Sequence, residues 1–245
     1  LLLFCRAIKR GATVALFGES ADELFGGYPW FHLEEALAFE GFPWARTTAL
    51  RASLLHPELR AAFQRERFVR RRYLETLAEV PHLPGEDEDD ARRRNLFYLN
   101  LTWFLGALLE RKDRMSMATG LEIRVPYCDH RLVEYVWNIP WAMKTAGGEP
   151  KGLLRRALRG LLPEPVLRRR KSPYPKTHHP TYLRLVRDEF ARLLADPSSP
   201  LVPLLDRAAA EELVRTDGAA FEPAWFGQLM AGAQIFAYLI QVDAW

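Results

Sequence analysis

The 245-residue chain is 49% hydrophobic and can therefore bury a sizeable core, in one large domain or two small ones. Its net charge of +3 suits an enzyme that handles anionic substrates, and the lack of a dense basic stripe with interleaved aromatic residues argues against nucleic-acid binding. No apolar run approaches the roughly 20 residues of a membrane-spanning helix, and Cys5 and Cys128 form no C-x-x-C pair, so we predict a cytoplasmic protein with free thiols and no membrane association.

The first predicted elements form the unit of an α/β fold. Residues 1–10 have a helical pattern, which Gly11 ends, and residues 13–17 predict a buried parallel strand. Ser20, with Glu23 three residues later, is typical of a helix N-cap with a capping box. Helix, strand, turn and helix in this order are the unit of a doubly wound sheet. The chain begins inside an apolar helix and not at a Met, so we expect an upstream segment to be missing.

The rest of the chain is predicted to be largely helical, without a second convincing parallel strand. The longest helix covers residues 92–119, where apolar residues from Leu96 to Met115 recur at helical spacing. Residues 81–90, with Pro84-Gly85 followed by an acidic cluster at 86–90, predict an exposed loop, and the Pro-rich residues 163–180 predict an irregular segment. Shorter helical stretches are predicted within residues 47–55, 57–83, 129–138, 151–162, 181–195, 206–216 and 223–244.

The turn after the first strand carries the residues best suited to chemistry. In α/β sheets, ligands bind at the carboxyl ends of parallel strands, and Gly18 allows a close backbone approach there. Glu19 and Asp22 lie on the turn and the first helical turn, so both can face one crevice. Two carboxylates in this place suit a divalent cation that carries a polyphosphate. The residues alone leave open a simpler interpretation, in which both acids only stabilise the helix N-terminus.

Three segments carry a resemblance to a known family. Residues 18–28 read Gly-Glu-Ser-Ala-Asp-Glu-Leu-Phe-Gly-Gly-Tyr, residues 110–130 contain Asp-Arg-Met-Ser-Met-Ala and Arg-Val-Pro-Tyr, and residues 151–155 read Lys-Gly-Leu-Leu-Arg. Their order and sequence resemble those of the asparagine synthetase family. The resemblance implies an α/β adenine-nucleotide-binding domain of the PP-loop ATP pyrophosphatase type, of which residues 1–245 would be the C-terminal, mostly helical portion.

The resemblance also implies a reaction and a set of site residues. Enzymes of this family bind ATP and aspartate, transfer AMP to the side-chain carboxylate, and displace it with ammonia that a separate domain releases from glutamine. By motif, Glu19 matches the glutamate that acts in forming and aminating the acyl-adenylate, and Asp22 matches a ligand of magnesium and pyrophosphate. Phe17 and Gly18 match backbone contacts to the nucleotide, and Lys151 matches the lysine that stabilises the transferring phosphorus.

The chain departs from the family pattern in four respects. Phe17 stands where Ser is usual, and Ser20 stands where Gly is frequent. The phosphate-binding loop Ser-Gly-Gly-x-Asp-Ser does not occur, and neither Cys5 nor Cys128 has the context of the nucleophilic N-terminal Cys of the glutaminase domain. Without the backbone cradle of the phosphate loop, we expect the isolated chain to bind ATP weakly and to have no synthetase activity.

Other charged and aromatic groups have simpler explanations. Residues 111–114 are expected to form a solvated or ion-paired helix face, with Arg114 near the acyl substrate as the alternative. Residues 168–171 are expected to form a solvated face, although their place before an irregular Pro-rich segment also allows a phosphate-gating role. His178 and His179 lack acidic or Cys partners at ligand spacing, so we do not expect a metal site there. The tryptophans are expected in cores or interfaces, among them Trp103, Trp137 and Trp225.

Two other functions remain open from the sequence. A related tailoring enzyme could use this scaffold to close a β-lactam or macrolactam ring with an internal amine, although retention of Glu19 favours ammonia. A non-catalytic scaffold is the second, because the phosphate loop is absent. Weak boundaries near Pro84 and Pro173 are not typical of linkers, so residues 1–245 are assigned to one ligase domain. The expected partners are ATP with Mg²⁺, aspartate, ammonia, the missing upstream segment and a second copy in a homodimer.

Overall fold

A computed structural model describes residues 1–46, 48–172, 179–221 and 232–245. The two strands are β1 (Val14–Leu16) and β2 (Glu122–Arg124). The helices are α1 (Leu2–Lys9), α2 (Ala21–Phe25), α3 (Glu34–Leu37), α4 (Thr48–Ala52), α5 (Pro57–Phe63), α6 (Arg65–Ala78), α7 (Glu88–Leu99), α8 (Gly106–Met117), α9 (His130–Trp137), α10 (Trp141–Lys144), α11 (Gly152–Ala157), α12 (Glu164–Leu167), α13 (Pro180–Leu194), α14 (Arg207–Arg215) and α15 (Ala233–Ala244).

The chain forms two compact units. Unit 1 comprises Leu1–Phe39 and Thr76–Lys171, and unit 2 comprises Glu40–Glu75 and Ser172–Trp245. One passage between the units falls next to Pro173, which the sequence marked as a weak boundary.

The predicted parallel strand is present, but its predicted burial is wrong. β1 pairs in parallel with β2, with Ala15 opposite Ile123, although no second parallel strand was expected. Leu16 is 71% exposed, and Val14 on the same side of the strand is exposed as well. Within the described residues β1 pairs with β2 alone, so this side of the strand is left uncovered by a neighbouring layer. The pairing continues past the strand end, because the Phe17 amide donates to the Arg124 carbonyl at 2.9 Å.

The predicted long helix is confirmed, but it changes its winding in the middle. α7 and α8 are joined without a break by a π-helical segment, Asn100–Leu105. Its wider turns rotate the following residues relative to an ideal α-helix. Leu96 is buried as expected, whereas Met115 at the other end of the predicted apolar stripe is exposed, and Lys112 is buried.

Two helices begin at an aspartate that caps the helix N-terminus, and one helix is shorter than predicted. Asp87 accepts a hydrogen bond from the Asp90 amide at 2.8 Å, and Asp129 accepts one from the Arg131 amide at 3.0 Å. α11 ends at Ala157, five residues before the predicted end at residue 162, and Gly160 then adopts a left-handed conformation with φ of 78°.

Each unit has its own packed centre. In unit 1, Leu24 and Phe25 of α2 pack against Val136 of α9, and this contact fixes the helix that follows β1. In unit 2, a larger apolar cluster includes Phe190 of α13 and Phe236 of α15, whose ring centroids lie 5.7 Å apart. The predicted helices at 181–195 and 206–216 are present as α13 and α14. The predicted helix 223–244 is seen from Ala233, and residues 223–231 of it, with Trp225, lie outside the described residues.

Three smaller expectations concerned the cysteines, membrane-spanning helices and the two adjacent histidines. Cys5 and Cys128 are free, as predicted. In the described ranges of the chain, helices with the length and apolarity needed to cross a membrane were not found. His179 accepts a hydrogen bond from the Thr181 amide at the start of α13, while His178 lies outside the described residues.

Candidate active site

The turn between β1 and α2 does not have the backbone geometry of a capping box. Ser20 is fully buried and adopts a left-handed conformation with φ of 75°. An N-cap side chain reaches the helix amides from an extended backbone conformation, so Ser20 makes no capping hydrogen bond and the predicted capping box is wrong. The carboxylate of Glu23 instead accepts a hydrogen bond from the Tyr28 hydroxyl at 2.8 Å. A non-glycine residue in this conformation stores strain, which is frequent at functional sites.

Glu19 is held by a buried lysine. The Lys112 ammonium of α8 contacts Oε1 of Glu19, and it lies 3.9 Å from the centroid of the Phe17 ring. The Lys112 side chain is 6% exposed and that of Glu19 is 20% exposed. Residues 111–114 were expected to form a solvated or ion-paired face: Lys112 and Arg114 are both ion-paired, Arg114 on the surface with Glu110, whereas Lys112 is buried.

Phe17, which stands where the family usually has Ser, has its ring packed against the Lys112 ammonium. The ring provides the aromatic face on which the Lys112 ammonium rests, while the Phe17 amide remains in the strand pairing. Phe17 thus packs toward the lysine that holds Glu19. Gly18, the next residue, has open space where a side chain would begin, since no atom lies within 4 Å of an added Cβ.

Asp22 is held by two lysines. Lys151 lies 2.7 Å from Oδ1, and the Lys171 ammonium contacts Oδ2 from a position 149 residues further along the chain. Burial acts to raise the pKa of the Asp22 carboxyl, but the hydrogen bonds and charges of the two lysines outweigh burial and lower it below 3.8. Lys151 itself has a left-handed backbone, with φ of 58°, at the N-terminus of α11.

Gly27 closes the other side of Asp22. A Cβ at this position would lie 1.9 Å from Oδ1, so only glycine leaves room for the carboxylate where it stands. The Gly27 amide also donates to the Asp22 carbonyl at 2.8 Å, which ties the end of α2 back to its beginning. Oδ1 is thus bounded by Gly27 and Lys151, and Oδ2 is the atom that Lys171 contacts.

Tyr28, whose hydroxyl bonds Glu23, packs against two other aromatic side chains, Trp30 and Phe104. Tyr28 stacks on Trp30 with 4.4 Å between ring centroids, and Phe104 of the π-helical segment meets the Tyr28 ring edge-on at 5.4 Å. Burial raises the pKa of the Tyr28 hydroxyl, and the charges of Glu23, Asp22 and Glu19 raise it further. Burial also raises the pKa of Glu23. The Tyr28 hydroxyl is therefore a fixed hydrogen-bond donor to Glu23 rather than a titrating group.

The fit of a divalent cation depends on Asp22. Among the described residues, groups of three or more His, Cys, Asp or Glu side chains that could hold a metal ion were not found. Mg²⁺ is usually bound by one or two carboxylates together with substrate phosphates, and does not need a cage of protein ligands. Asp22 therefore fits as a single carboxylate ligand of a cation carried by a polyphosphate, at a site where Lys151 and Lys171 could also contact phosphate oxygens.

Two lysines that the sequence interpretation did not assign to the site, Lys112 and Lys171, contact the predicted carboxylates. Asp22 contacts the predicted Lys151 directly, whereas Glu19 and Phe17 meet only through Lys112. A signal for Lys112 exists, because it follows the buried Leu105 by seven residues and so lies on the same helical face. For Lys171, the sequence contained one indication of a role in the site, which is the alternative phosphate-gating role of residues 168–171.

The chain is similar to known proteins over its whole length. All 245 residues match the family described as asparagine synthase. The chain is 51% identical over 245 residues to glutamine-hydrolyzing asparagine synthetase 3 of Bacillus subtilis, spanning all of this chain and 40% of that relative. It is 33% identical over 208 residues to asparagine synthetase 1 of the same organism, which covers 71% of this chain and 32% of the relative. The human asparagine synthetase is 33% identical over 93 residues, 37% of this chain and 15% of its own length.

Proposed function

Because this chain belongs to the asparagine synthase family, we propose that it carries part of a ligase site that converts aspartate to asparagine with ATP and ammonia from glutamine. The observation that carries the proposal is the contact of Asp22 with Lys151 and Lys171 beside the end of a parallel strand. One carboxylate flanked by two ammonium groups suits a metal-bound polyphosphate, because it supplies a cation ligand and phosphate partners at one place.

The first half of the proposed reaction activates the substrate carboxylate. An oxygen of the aspartate side chain attacks the α-phosphorus of ATP, and pyrophosphate leaves. Lys151 would stabilise the charge that develops on the transferring phosphorus, and the backbone at Phe17 and Gly18 would contact the nucleotide. Mg²⁺ bound at Asp22 would neutralise the charge of the leaving pyrophosphate. The open space beside Gly18 supports this placement of the nucleotide.

The second half forms the amide bond. Ammonia attacks the acyl carbon, and AMP leaves with the pair of electrons from the broken bond to carbon. Glu19 accepts a proton from the nitrogen as it becomes positively charged. Lys112 supports this role, since its buried ammonium holds one Glu19 oxygen in a fixed direction and leaves the other for the substrate.

The complete activity needs more than these residues. The chain spans about 40% of the length of the B. subtilis relative. We infer that the phosphate-binding loop and the glutaminase domain correspond to the part of such relatives that this chain does not match, and that the isolated chain is inactive. In this proposal the whole protein acts in the cytoplasm with Mg²⁺, as a homodimer. In this proposal residues 1–245 belong to one ligase domain.

The first experiment is the intact mass of the natively produced protein together with the DNA upstream of the codon for Leu1. A longer product that carries a phosphate loop and an N-terminal Cys is the expected result.

The second experiment measures asparagine and AMP for that protein and for its Glu19→Gln and Lys151→Met variants. Arg114→Met is the control, because Arg114 forms an exposed ion pair on the same helix as Lys112.

We expect each site variant to lose at least about a hundredfold in turnover and Arg114→Met to keep it. Wild-type turnover by Glu19→Gln and Lys151→Met would contradict the assigned roles. Formation of AMP without asparagine would move the function to a lactam-forming relative. Asparagine formation by the pure 245-residue chain would contradict the requirement for the phosphate loop.

A further inference from the structure

The two oxygens of Asp22 differ in how closely they can be approached. Oδ1 faces Lys151 at 2.7 Å and lies 1.9 Å from where a Cβ of residue 27 would stand, so this oxygen is closed in by Gly27 and Lys151. Oδ2 faces Lys171. A cation that is to bind Asp22 has its access on the Oδ2 side, and there it meets the Lys171 ammonium first.

The two lysines also differ in how firmly they are placed. Lys151 is 22% exposed, and it lies at the start of α11, where Gly152 packs so closely that an added Cβ would be 2.2 Å from the Ala146 carbonyl oxygen. Lys171 is 40% exposed and lies beyond the end of α12, in a stretch without regular structure. Of the two, Lys171 is therefore the lysine that can leave Asp22 without disturbing a helix.

Arg155 anchors both lysine-bearing segments. Its guanidinium donates to the Pro150 carbonyl at 3.0 Å, next to Lys151, and to the Arg169 carbonyl at 2.9 Å, two residues before Lys171. A third bond, to the Leu167 carbonyl, completes the attachment. The Lys-Gly-Leu-Leu-Arg motif thus supplies Lys151 directly and, through Arg155, sets the point from which Lys171 reaches the site.

We propose that Lys171 occupies the cation side of Asp22 until the metal arrives, and that it then moves onto the polyphosphate that the metal carries. This inference rests on the proposed function, because it takes Asp22 as the metal ligand. A divalent cation at Oδ2 repels the ammonium, and the nearest new anions are the phosphate oxygens bound to the same cation. The Tyr28 ring, whose centroid lies 5.2 Å from the Lys171 ammonium, provides an aromatic face that can stabilise the ammonium as it moves from Asp22 to the phosphate.

The exchange makes opposite predictions for metal and for phosphate. Removing the Lys171 ammonium frees Oδ2, so a metal ion alone binds more tightly. The same change removes a phosphate partner, so pyrophosphate binds more weakly. A lysine that only stabilises the local fold would weaken both.

The test uses Mn²⁺ as a spectroscopic substitute for Mg²⁺ and inorganic pyrophosphate as the anion, on the natively produced protein that contains this chain. Mn²⁺ binding is followed by electron paramagnetic resonance, with and without pyrophosphate, for wild type, Lys171→Met, Arg170→Met and Asp22→Asn. Arg170→Met is the matched control, since it removes one positive charge from the neighbouring exposed residue.

We expect Lys171→Met to bind Mn²⁺ alone about tenfold more tightly, which corresponds to about 1.4 kcal/mol, and to bind pyrophosphate about tenfold more weakly. Arg170→Met should match wild type. If Asp22→Asn loses Mn²⁺ binding while Lys171→Met matches wild type, the exchange is wrong and the metal site of the proposed function stands. If Asp22→Asn keeps wild-type Mn²⁺ binding, the metal is not at Asp22, and both proposals lose their basis.

Discussion

Glu19 and Asp22 lie three residues apart on one turn, yet the protein holds the two carboxylates in different ways. Among the described residues Glu19 pairs with Lys112, which is buried on a long helix and packed against the Phe17 ring. Asp22 has two partners, and one of them, Lys171, is substantially exposed and lies outside any helix.

The difference matches what each carboxylate would do in the proposed reaction. A proton acceptor for an incoming amine benefits from a fixed direction, and a buried lysine on a helix supplies it. A metal ligand must give up its resting partner each time a cation arrives, which an exposed lysine on an irregular segment allows. Variants at the two ends of the turn should therefore fail in different ways: loss of fold stability at the Glu19 end, and loss of ligand geometry at the Asp22 end.

The largest effect is expected for Lys112→Met. The substitution keeps most of the side-chain volume but leaves the Glu19 carboxylate, only 20% exposed, without its counter-ion. Breaking a buried pair in this way destabilises by about 3 kcal/mol, somewhat reduced because Glu19 is not fully buried. The measurement is the free energy of unfolding in urea. Arg114→Met is the control: it breaks an exposed ion pair on the same helix and should change stability by less than about 0.5 kcal/mol. Equal effects of the two variants would remove the distinction between the buried and the exposed pair.

Gly27→Ala tests the Asp22 end. The new Cβ would stand 1.9 Å from Oδ1, so the carboxylate must turn away from Lys151. We expect a loss of about 1–2 kcal/mol in stability together with loss of Mn²⁺ binding, since turning the carboxylate also displaces Oδ2, the oxygen on the cation side. Gly106→Ala is the matched control, because that helical glycine has no atom within 4 Å of an added Cβ. It should stabilise by about 0.5–1 kcal/mol and leave metal binding unchanged. If Gly27→Ala binds Mn²⁺ as wild type does, the enclosure of Oδ1 is not what orients Asp22.

These contrasts also show where sequence interpretation succeeded and where it could not. Glu19 and Asp22 could be placed from the sequence, because their spacing relative to the strand end is local, whereas Lys151 was assigned through its motif alone. Lys112 was missed, since the predicted apolar stripe continued to Met115, whereas in α8 Met115 is exposed and Lys112 is buried. Lys171 reaches Asp22 from 149 residues away, and no periodicity encodes that contact.

The burial of β1 failed for a related physical reason. A short run of β-branched and apolar residues predicts a strand, but burial depends on the layers that neighbouring strands and helices place over it. In the part of the chain that the structure describes, β2 is the neighbour of β1, and Leu16 remains exposed. Composition and period therefore identify the element, whereas its environment comes from tertiary partners.

Ser20 lies between the two carboxylates and allows a smaller test of the strained turn. Its left-handed backbone disfavours any residue with a Cβ, and its hydroxyl makes no bond at the helix start. Ser20→Gly should therefore be about 1 kcal/mol more stable than Ser20→Ala, because the two variants share the loss of the hydroxyl and differ only in the Cβ. Thermal and urea unfolding of both variants measure this difference. Equal stabilities would mean that the turn is not strained at this residue.

The smallest expected effect concerns the ring that supports Lys112. Phe17→Leu keeps an apolar side chain but removes the aromatic face 3.9 Å from the ammonium, and we expect a loss of about 0.5–1 kcal/mol. A double-mutant cycle with Lys112→Met isolates this contribution: once the ammonium is absent, Phe17→Leu should cost distinctly less than it does in wild type. A coupling energy of zero would show that the ring and the ammonium are neighbours without being partners. Phe17 would then act at this site through its backbone alone, and the side chain that replaces the family's usual Ser would have no part in holding Glu19.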